Sequence, residues 1–183
     1  YHAQGGIGVI SSRLTLEGPL RKDTASFMIS GRRTYIDVLT KPFISSDSRF
    51  FGSGYYFYDL NTKVNYRLSD EDRLFLSGYF GRDVFTYNNS ESGFKVNIPW
   101  GNATASARWN HLFSNKLFMN ATAVFSDYKF RMSAMQSDFE FSLYSGIRDW
   151  NLKLDFSYFP DFPHKIRFGA DYVFHTFVPS SLS

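Results

Sequence analysis

The sequence predicts an all-β protein: a transmembrane antiparallel β-barrel segment of about eight strands, forming a single unit over residues 1–183. Three observations lead to this prediction. Polar and apolar residues alternate with a period of two over several long runs. Short turn sequences recur at an even spacing along the chain. Aromatic residues make up 20% of the chain, with 21 Phe, 12 Tyr and 3 Trp, and many stand near the ends of the predicted strands.

The clearest alternation runs from Phe57 to Leu68. The same period is found over 103–109 and 150–158, and less cleanly over 117–125, where Val124 falls among polar residues. A helix repeats every 3.6 residues and would mix the two sets. We therefore predict eight strands, at 7–20, 25–39, 55–68, 74–87, 102–114, 117–134, 139–159 and 165–178. The apolar side of the clearest strand, predicted to face lipid, carries Tyr58, Leu60, Thr62, Val64, Tyr66 and Leu68.

The polar side of these strands is predicted to face the lumen of the barrel. One interpretation is a wall that contacts a plug domain or a passing ligand, and the other is an ion-paired, hydrated surface of the kind any large barrel needs. Arg32 and Arg33 are adjacent and must face opposite ways, so Arg33 is predicted to lie near the lipid headgroups. The lumen-facing candidates are Asp59, Asn61, Lys63, Asn65, Arg67, Arg108, Asn110, Lys153 and Asp155.

Turn sequences begin at Arg21, Ser69, Ser114 and Pro160 and are short and polar or contain proline. Between them we predict breaks at 40–54, about 88–101 and 135–138, most of them longer than the turns. Short turns on one side and longer loops on the other are typical of outer-membrane barrels. Gly5 and Gly6 are predicted to form a loop that leads into the first strand.

Two soluble architectures also alternate polar and apolar residues. A β-sandwich has strands of about 5–6 residues, shorter than the predicted ones, whereas a lipocalin-like barrel would bury its apolar face inside. Strands longer than the roughly 9–11 residues that cross a bilayer favour the membrane barrel. So do aromatic residues near the strand ends, which resemble interfacial girdles: Tyr35, Phe50, Phe51, Tyr55, Tyr56, Phe85, Tyr87, Tyr158 and Phe159.

Candidate chemical motifs are sparse. The chain has no Cys, which excludes disulfides, thiolate nucleophiles and Cys-ligated metals. None of the four His residues has a metal-ligand spacing, and Gly5-Gly6-x-Gly8 precedes a strand instead of the helix that a phosphate loop requires. Asp70-Glu71-Asp72 is interpreted as a solvated turn. A net charge of +3 does not indicate nucleic acid, and we predict no enzyme, no metal and no cofactor.

Four stretches resemble the barrels of Bacteroidetes TonB-dependent outer-membrane receptors. They are GIGVISSRLTLEGPL at 6–20, ASFMISGRRTYID at 25–37, LSGYFGRD at 76–83 and GIRDWNLK at 146–153. The resemblance implies a location in the cell outer membrane and a 22-stranded barrel plugged by an N-terminal domain. It also implies import of a scarce nutrient with energy passed on by TonB. Expected partners are therefore outer-membrane lipid, the plug domain and remaining strands of the same receptor, TonB acting through the N-terminal part, and in some relatives a surface lipoprotein.

The chain departs from that family pattern because it shows no plug domain and has room for only about eight strands. If the short turns are periplasmic, both ends of the segment lie on the outer side, so we interpret it as an internal segment of a larger barrel. The alternative is a complete eight-stranded outer-membrane barrel with a structural or adhesin-like role.

Overall fold

The computed structural model describes residues 1–45, 48, 51–136 and 139–182 and contains one antiparallel sheet of nine strands in sequential order. This confirms the predicted all-β antiparallel class. The sheet is not closed, and its two edges are the first and the ninth strand. The strands are β1 His2–Ile7, β2 Ser11–Arg21, β3 Ala25–Thr34, β4 Gly54–Arg67, β5 Asp72–Asn89, β6 Phe94–Ser114, β7 Leu117–Gln136, β8 Phe139–Tyr158 and β9 Ile166–Leu182.

The predicted count of about eight strands is corrected to nine because a further strand, β1, precedes the predicted strand 7–20, which itself begins at Ser11 as β2. Gly5 and Gly6, expected to form a loop, belong to β1 and pair with Leu14 and Arg13 of β2. The chain reverses at Gly8, whose backbone N–H donates to the Ser11 carbonyl at 2.9 Å. Glycine is depleted in strands because it has no side chain to pack, which is why the sequence pattern missed β1.

The predicted strand 25–39 ends at Thr34 and gives way to a short helix, α1 Ile36–Thr40, followed by a 3₁₀ turn at Lys41–Phe43. The N–H groups of Val38 and Leu39 both donate to the Tyr35 carbonyl at 3.0 Å. This turn of helix diverts the chain out of the sheet. No helix among the described residues combines the length and the apolar character needed to cross a membrane.

The break predicted near 88–101 is also wrong, because β5 extends to Asn89 and β6 begins at Phe94. Pro99 explains the error. The ladder between β5 and β6 runs through Pro99, whereas the ladder between β6 and β7 passes from Asn97 directly to Trp100. Proline has no N–H to donate, so the ladder between β6 and β7 is interrupted at Pro99. The ladder between β5 and β6 continues past Pro99 and keeps it within the strand.

The four predicted turns connect strands at one end of the sheet, hereafter the turn end: β2 to β3, β4 to β5, β6 to β7, and β8 to β9. The expected contrast with long loops at the opposite end is only partly found. Gly8–Ile10 and Ser90–Gly93 are as short as the turns, and Tyr35–Ser53 is the long connection among the described residues. Ser137 and Asp138, in the fourth connection, lie outside the described residues.

The sheet is a single layer with almost no hydrophobic core. Among the described residues the buried hydrophobic side chains are Ala25, Val84 and Met119. Apart from Val173 and Phe177 of β9, which are exposed on the other face, large apolar side chains of the strands stand mostly on one face, hereafter the apolar face, because ladder partners share a face and successive residues alternate. Those that are 40–62% exposed there make up most of this surface. They are Leu14, Leu16, Ile29, Leu60, Leu76, Phe80, Trp109, Trp150, Leu152, Leu154, Phe168, Tyr172 and Phe174.

Candidate functional surface: the polar face of the sheet

The nine lumen-facing candidates lie on the opposite face, hereafter the polar face. Asp59, Asn61, Lys63, Asn65 and Arg67 alternate along β4. The ladder connects Asn65 through Phe75 to Arg108, and continues through Thr122 to Lys153. A second row, nearer the turn end, connects Arg67 through Arg73 to Asn110, and then through Asn120 to Asp155. Register alone therefore brings residues from five strands, β4 to β8, onto one surface.

A cavity of about 950 Å³ opens on this surface. Most of its lining comes from polar-face positions of seven consecutive strands, β1 to β7. Lys63, Asn65 and Arg108 of the predicted set line the cavity, whereas the other six predicted residues stand outside it on the same face. The cavity is also lined by His2, Glu17, Ser26, Met28, Phe75, Ser77, Ser106 and Thr122.

Several of these lining residues were missed because β5 does not alternate cleanly. Its polar face carries Phe75 and Tyr79 beside Ser77, so hydrophobicity does not separate its two faces. The Arg108 guanidinium lies 4.9 Å from the centre of the Phe75 ring, which gives that aromatic side chain a cationic partner. The faces of β5 can be assigned only from its register against β4, which pairs Phe75 with Asn65 and Ser77 with Lys63.

Short polar contacts connect the predicted residues with each other and with their neighbours. Asn61 Nδ2 donates to Asp59 Oδ1 at 3.4 Å, and Lys153 Nζ lies 3.5 Å from Asp155 Oδ2. Farther along the sheet, Ser77 and Ser106 share a hydroxyl hydrogen bond of 2.6 Å. The surface is thus polar and partly ion-paired, and Lys63 and Arg108 line its cavity.

The turn end holds a cluster that sequence reasoning did not find. Asp72 accepts hydrogen bonds from the Ser69 hydroxyl at 2.8 Å and the Trp109 indole N–H at 2.8 Å, and lies 2.6 Å from His111 Nδ1. Asp72 is therefore a fixed structural carboxylate, in contrast to the freely solvated turn we expected. Serine and histidine both contact the carboxylate in this cluster, whereas a catalytic triad needs the serine beside the imidazole.

The aromatic residues near the strand ends do not all face one way. Tyr56 and Tyr58 stack on the apolar face, with ring centres 6.5 Å apart, whereas Tyr55, Phe85 and Tyr87 lie on the polar face. The proposed girdle is therefore drawn from both faces of the sheet. Phe50, which was also assigned to it, lies outside the described residues.

The described residues contain no group of three or more His, Asp or Glu side chains placed to hold a metal ion. Three of the four histidines each pair with one acid, and that of His111 is Asp72. His175 Nδ1 lies 2.7 Å from Asp149 Oδ1, and His2 Nδ1 lies 3.5 Å from Glu17 Oε1. Gly8 lies in the connection from β1 to β2 and not at a helix start, so the phosphate-loop interpretation remains without its structural context.

Comparison with known proteins adds no relative. No protein-family model, no curated protein and no solved structure matches this chain. The resemblance to TonB-dependent receptors therefore stays a prediction from the sequence.

Proposed function

We propose that this chain forms part of the wall of a large outer-membrane β-barrel, that of a TonB-dependent transporter that imports a nutrient. One observation carries the proposal. A single-layer antiparallel sheet exposes large apolar side chains across one face and carries a cavity of about 950 Å³ on the opposite, predominantly polar face. Lipid outside and water inside is the environment that suits both faces.

Exposure of the apolar face supports a lipid environment. Leu152, Trp150 and Tyr172 are 55%, 51% and 62% exposed, and similar side chains stand on seven of the nine strands. Soluble monomers rarely expose contiguous apolar patches larger than a few hundred Å². The strands are also long enough, because β5 to β8 have 18 to 21 residues and a bilayer is crossed by about 9–11.

The strand directions support a large barrel over a complete small one. Nine sequential antiparallel strands leave β1 and β9 running the same way, so a closure between them would be parallel, whereas bacterial barrels of this kind close with an even number of antiparallel strands. Closing β2 on β9 would give eight strands, but β1 already occupies that side of β2. Unpaired edges in lipid leave backbone groups unsatisfied, so further strands complete the wall.

The polar face supports transport. An eight-stranded barrel fills its lumen with its own side chains, whereas 22-stranded barrels enclose a plugged passage. Long cationic side chains such as Lys63 and Arg108 line the cavity on this face and need the wider lumen. In the transporter this face contacts the plug and the passing nutrient. By the family resemblance, TonB supplies the energy through the plug, and a surface lipoprotein assists capture in some relatives.

Disulfide cross-linking of the full-length protein in outer-membrane fractions tests the open sheet. Ala3→Cys is combined in turn with Ala170→Cys, Tyr172→Cys or Phe174→Cys, which covers three registers between the edges. We expect no bond for any pair. Leu152→Cys with Tyr172→Cys, partners in the ladder between β8 and β9, is the matched control and should cross-link. A bond between β1 and β9 would contradict the proposal.

Conductance tests the passage itself. Removing the plug domain from the full-length protein should open a water-filled channel in planar bilayers, because the plug is what fills a large lumen. A small barrel would stay closed under the same voltage. Absence of the protein from the outer-membrane fraction, or a silent plug-free protein that is still inserted, would refute the transporter assignment.

A further inference from the structure

A groove of about 420 Å³ lies mainly on the apolar face, across β5 to β8. Along the strands, the apolar face carries apolar side chains near the turn end and charged side chains farther from it. The groove begins where the charged side chains begin. Small residues of β6, Pro99, Gly101 and Ala103, line the groove between β5 and β7. The groove is defined by its cations, Arg82 on the β5 side and Lys129 and Arg131 on the β7 side, and is called the cationic groove below.

The groove carries an excess of positive charge. Asp127 is the one carboxylate among the described residues that line it. Its Oδ2 lies 3.0 Å from Lys129 Nζ and 3.7 Å from the guanidinium of Arg148, which stands just outside the lining. Four cations therefore surround one acid, and Arg82 and Arg131 hold charge that Asp127 does not neutralise. The side chains of all four cations are exposed, so an anionic ligand can reach them.

At the floor of the groove the backbones of β5 and β6 approach too closely for a side chain at Gly101. A Cβ on Gly101 would lie 2.6 Å from the Gly81 carbonyl oxygen, so no larger side chain fits there without moving β5. The cations of β5 and β7 rise on either side of this floor. Between them is room for a compact anionic group that both walls can contact at once.

The apolar face continues from the groove toward the turn end. Phe80 and Ala103 line the part of the groove nearest the turn end. Phe125 and Trp150 pack against each other beyond it, with ring centres 4.7 Å apart and planes tilted by 50°. A molecule with an anionic head and hydrocarbon chains would match this order. Its head would meet the cations while its chains lay along the apolar side chains.

We propose that the cationic groove binds the phosphate-bearing headgroup of a membrane lipid whose acyl chains lie on the apolar face below it. Arginine presents a planar fork of donors that suits phosphate oxygens, and lysine adds a mobile point charge. The inference rests on the proposed function, because it requires the apolar face to lie in a membrane. It adds a specific lipid site to that wall.

The test is native mass spectrometry of the full-length protein in detergent, titrated with diphosphoryl lipid A as the probe. The variant is Arg82→Gln/Lys129→Gln/Arg131→Gln. The control, Arg13→Gln/Arg73→Gln/Arg167→Gln, removes the same charge from the polar face. Each cation near an anionic lipid contributes about fivefold in affinity, so the groove variant should bind the probe roughly a hundredfold more weakly, and the control should bind as the original protein does.

Inorganic phosphate serves as a competitor that separates the two sources of the anion. Excess phosphate should leave the lipid bound, because it gains nothing from the apolar side chains. Equal lipid binding by the groove variant and the control would overturn the proposal, as would displacement of the lipid by excess phosphate. Failure of the proposed function is a distinct result: the protein would then be missing from the membrane fraction before any lipid is added.

Discussion

The Arg32 guanidinium lies 2.7 Å from the Asp59 carboxylate, across the ladder between β3 and β4 on the polar face. The Asp59 side chain is 9% exposed, and Arg32 Nε donates a second hydrogen bond to the same oxygen at 2.8 Å. The adjacent Arg33 points to the opposite face, where its guanidinium lies 5.7 Å from the centre of the Tyr56 ring. One step along a strand thus separates an ion pair on the polar face from a cation among the aromatic residues of the apolar face.

The Arg32–Asp59 pair should contribute measurably to stability. A double-mutant cycle with Arg32→Gln and Asp59→Asn, followed by urea unfolding in micelles, should give a coupling energy of about 1 kcal/mol, the upper end for partly exposed pairs. Lys153 and Asp155 serve as the control, because they are 46% and 49% exposed and 3.5 Å apart. Their cycle should give a coupling near zero. Equal coupling for the two pairs would mean that burial of Asp59 does not strengthen its interaction.

The alternation along β4 should be detectable with spin labels. The chain has no native cysteine, so Leu60→Cys and Lys63→Cys each provide a single labelling site. A label at Leu60 on the apolar face should be relaxed by a lipid-soluble quencher, and one at Lys63 on the polar face by a water-soluble quencher, because a strand alternates its faces at every residue. The reverse assignment would end the membrane interpretation, since one slipped residue inverts every side chain.

Charge substitutions in β8 should separate its two faces by their effect on assembly. Arginine at Leu152 or Leu154, which are 55% and 44% exposed on the apolar face, should lower the folded fraction in lipid, because a cation near the bilayer midplane costs about 2–4 kcal/mol. Arginine at Asn151 or Asp155 on the polar face should have little effect. Heat-modifiable gel mobility measures the folded fraction, and similar losses on both faces would argue against a lipid-facing surface.

Gly101 should resist even the smallest side chain. In Gly101→Ala the new Cβ would lie 2.6 Å from the Gly81 carbonyl oxygen, a backbone atom that can move only with β5. Overpacking of this kind costs about 1–3 kcal/mol. Gly6→Ala is the control, because nothing lies within 4 Å of the corresponding position, and it should be close to neutral. Urea unfolding of the two variants measures the difference, and a neutral Gly101→Ala would show that β5 and β6 separate easily.

The candidate surface was predictable wherever one strand alternated cleanly. All nine lumen-facing candidates lie on one face, because period-two alternation follows from the geometry of a strand and needs no partner. The lining residues missed in β5, Phe75 and Ser77, belong to a strand whose two faces differ little in hydrophobicity. Only pairing with a neighbouring strand assigns their face, and pairing is a tertiary property.

By itself, the sequence determined the all-β class, the four short turns and the existence of long alternating strands, because each of these follows from local residue chemistry. The tertiary structure decided that Gly5 and Gly6 pair in β1, that Pro99 is held inside β6, and that Arg82 and Lys129 stand on opposite sides of one groove. Neighbouring strands supply backbone partners that override local propensity. They also join residues almost fifty positions apart, which no local pattern contains.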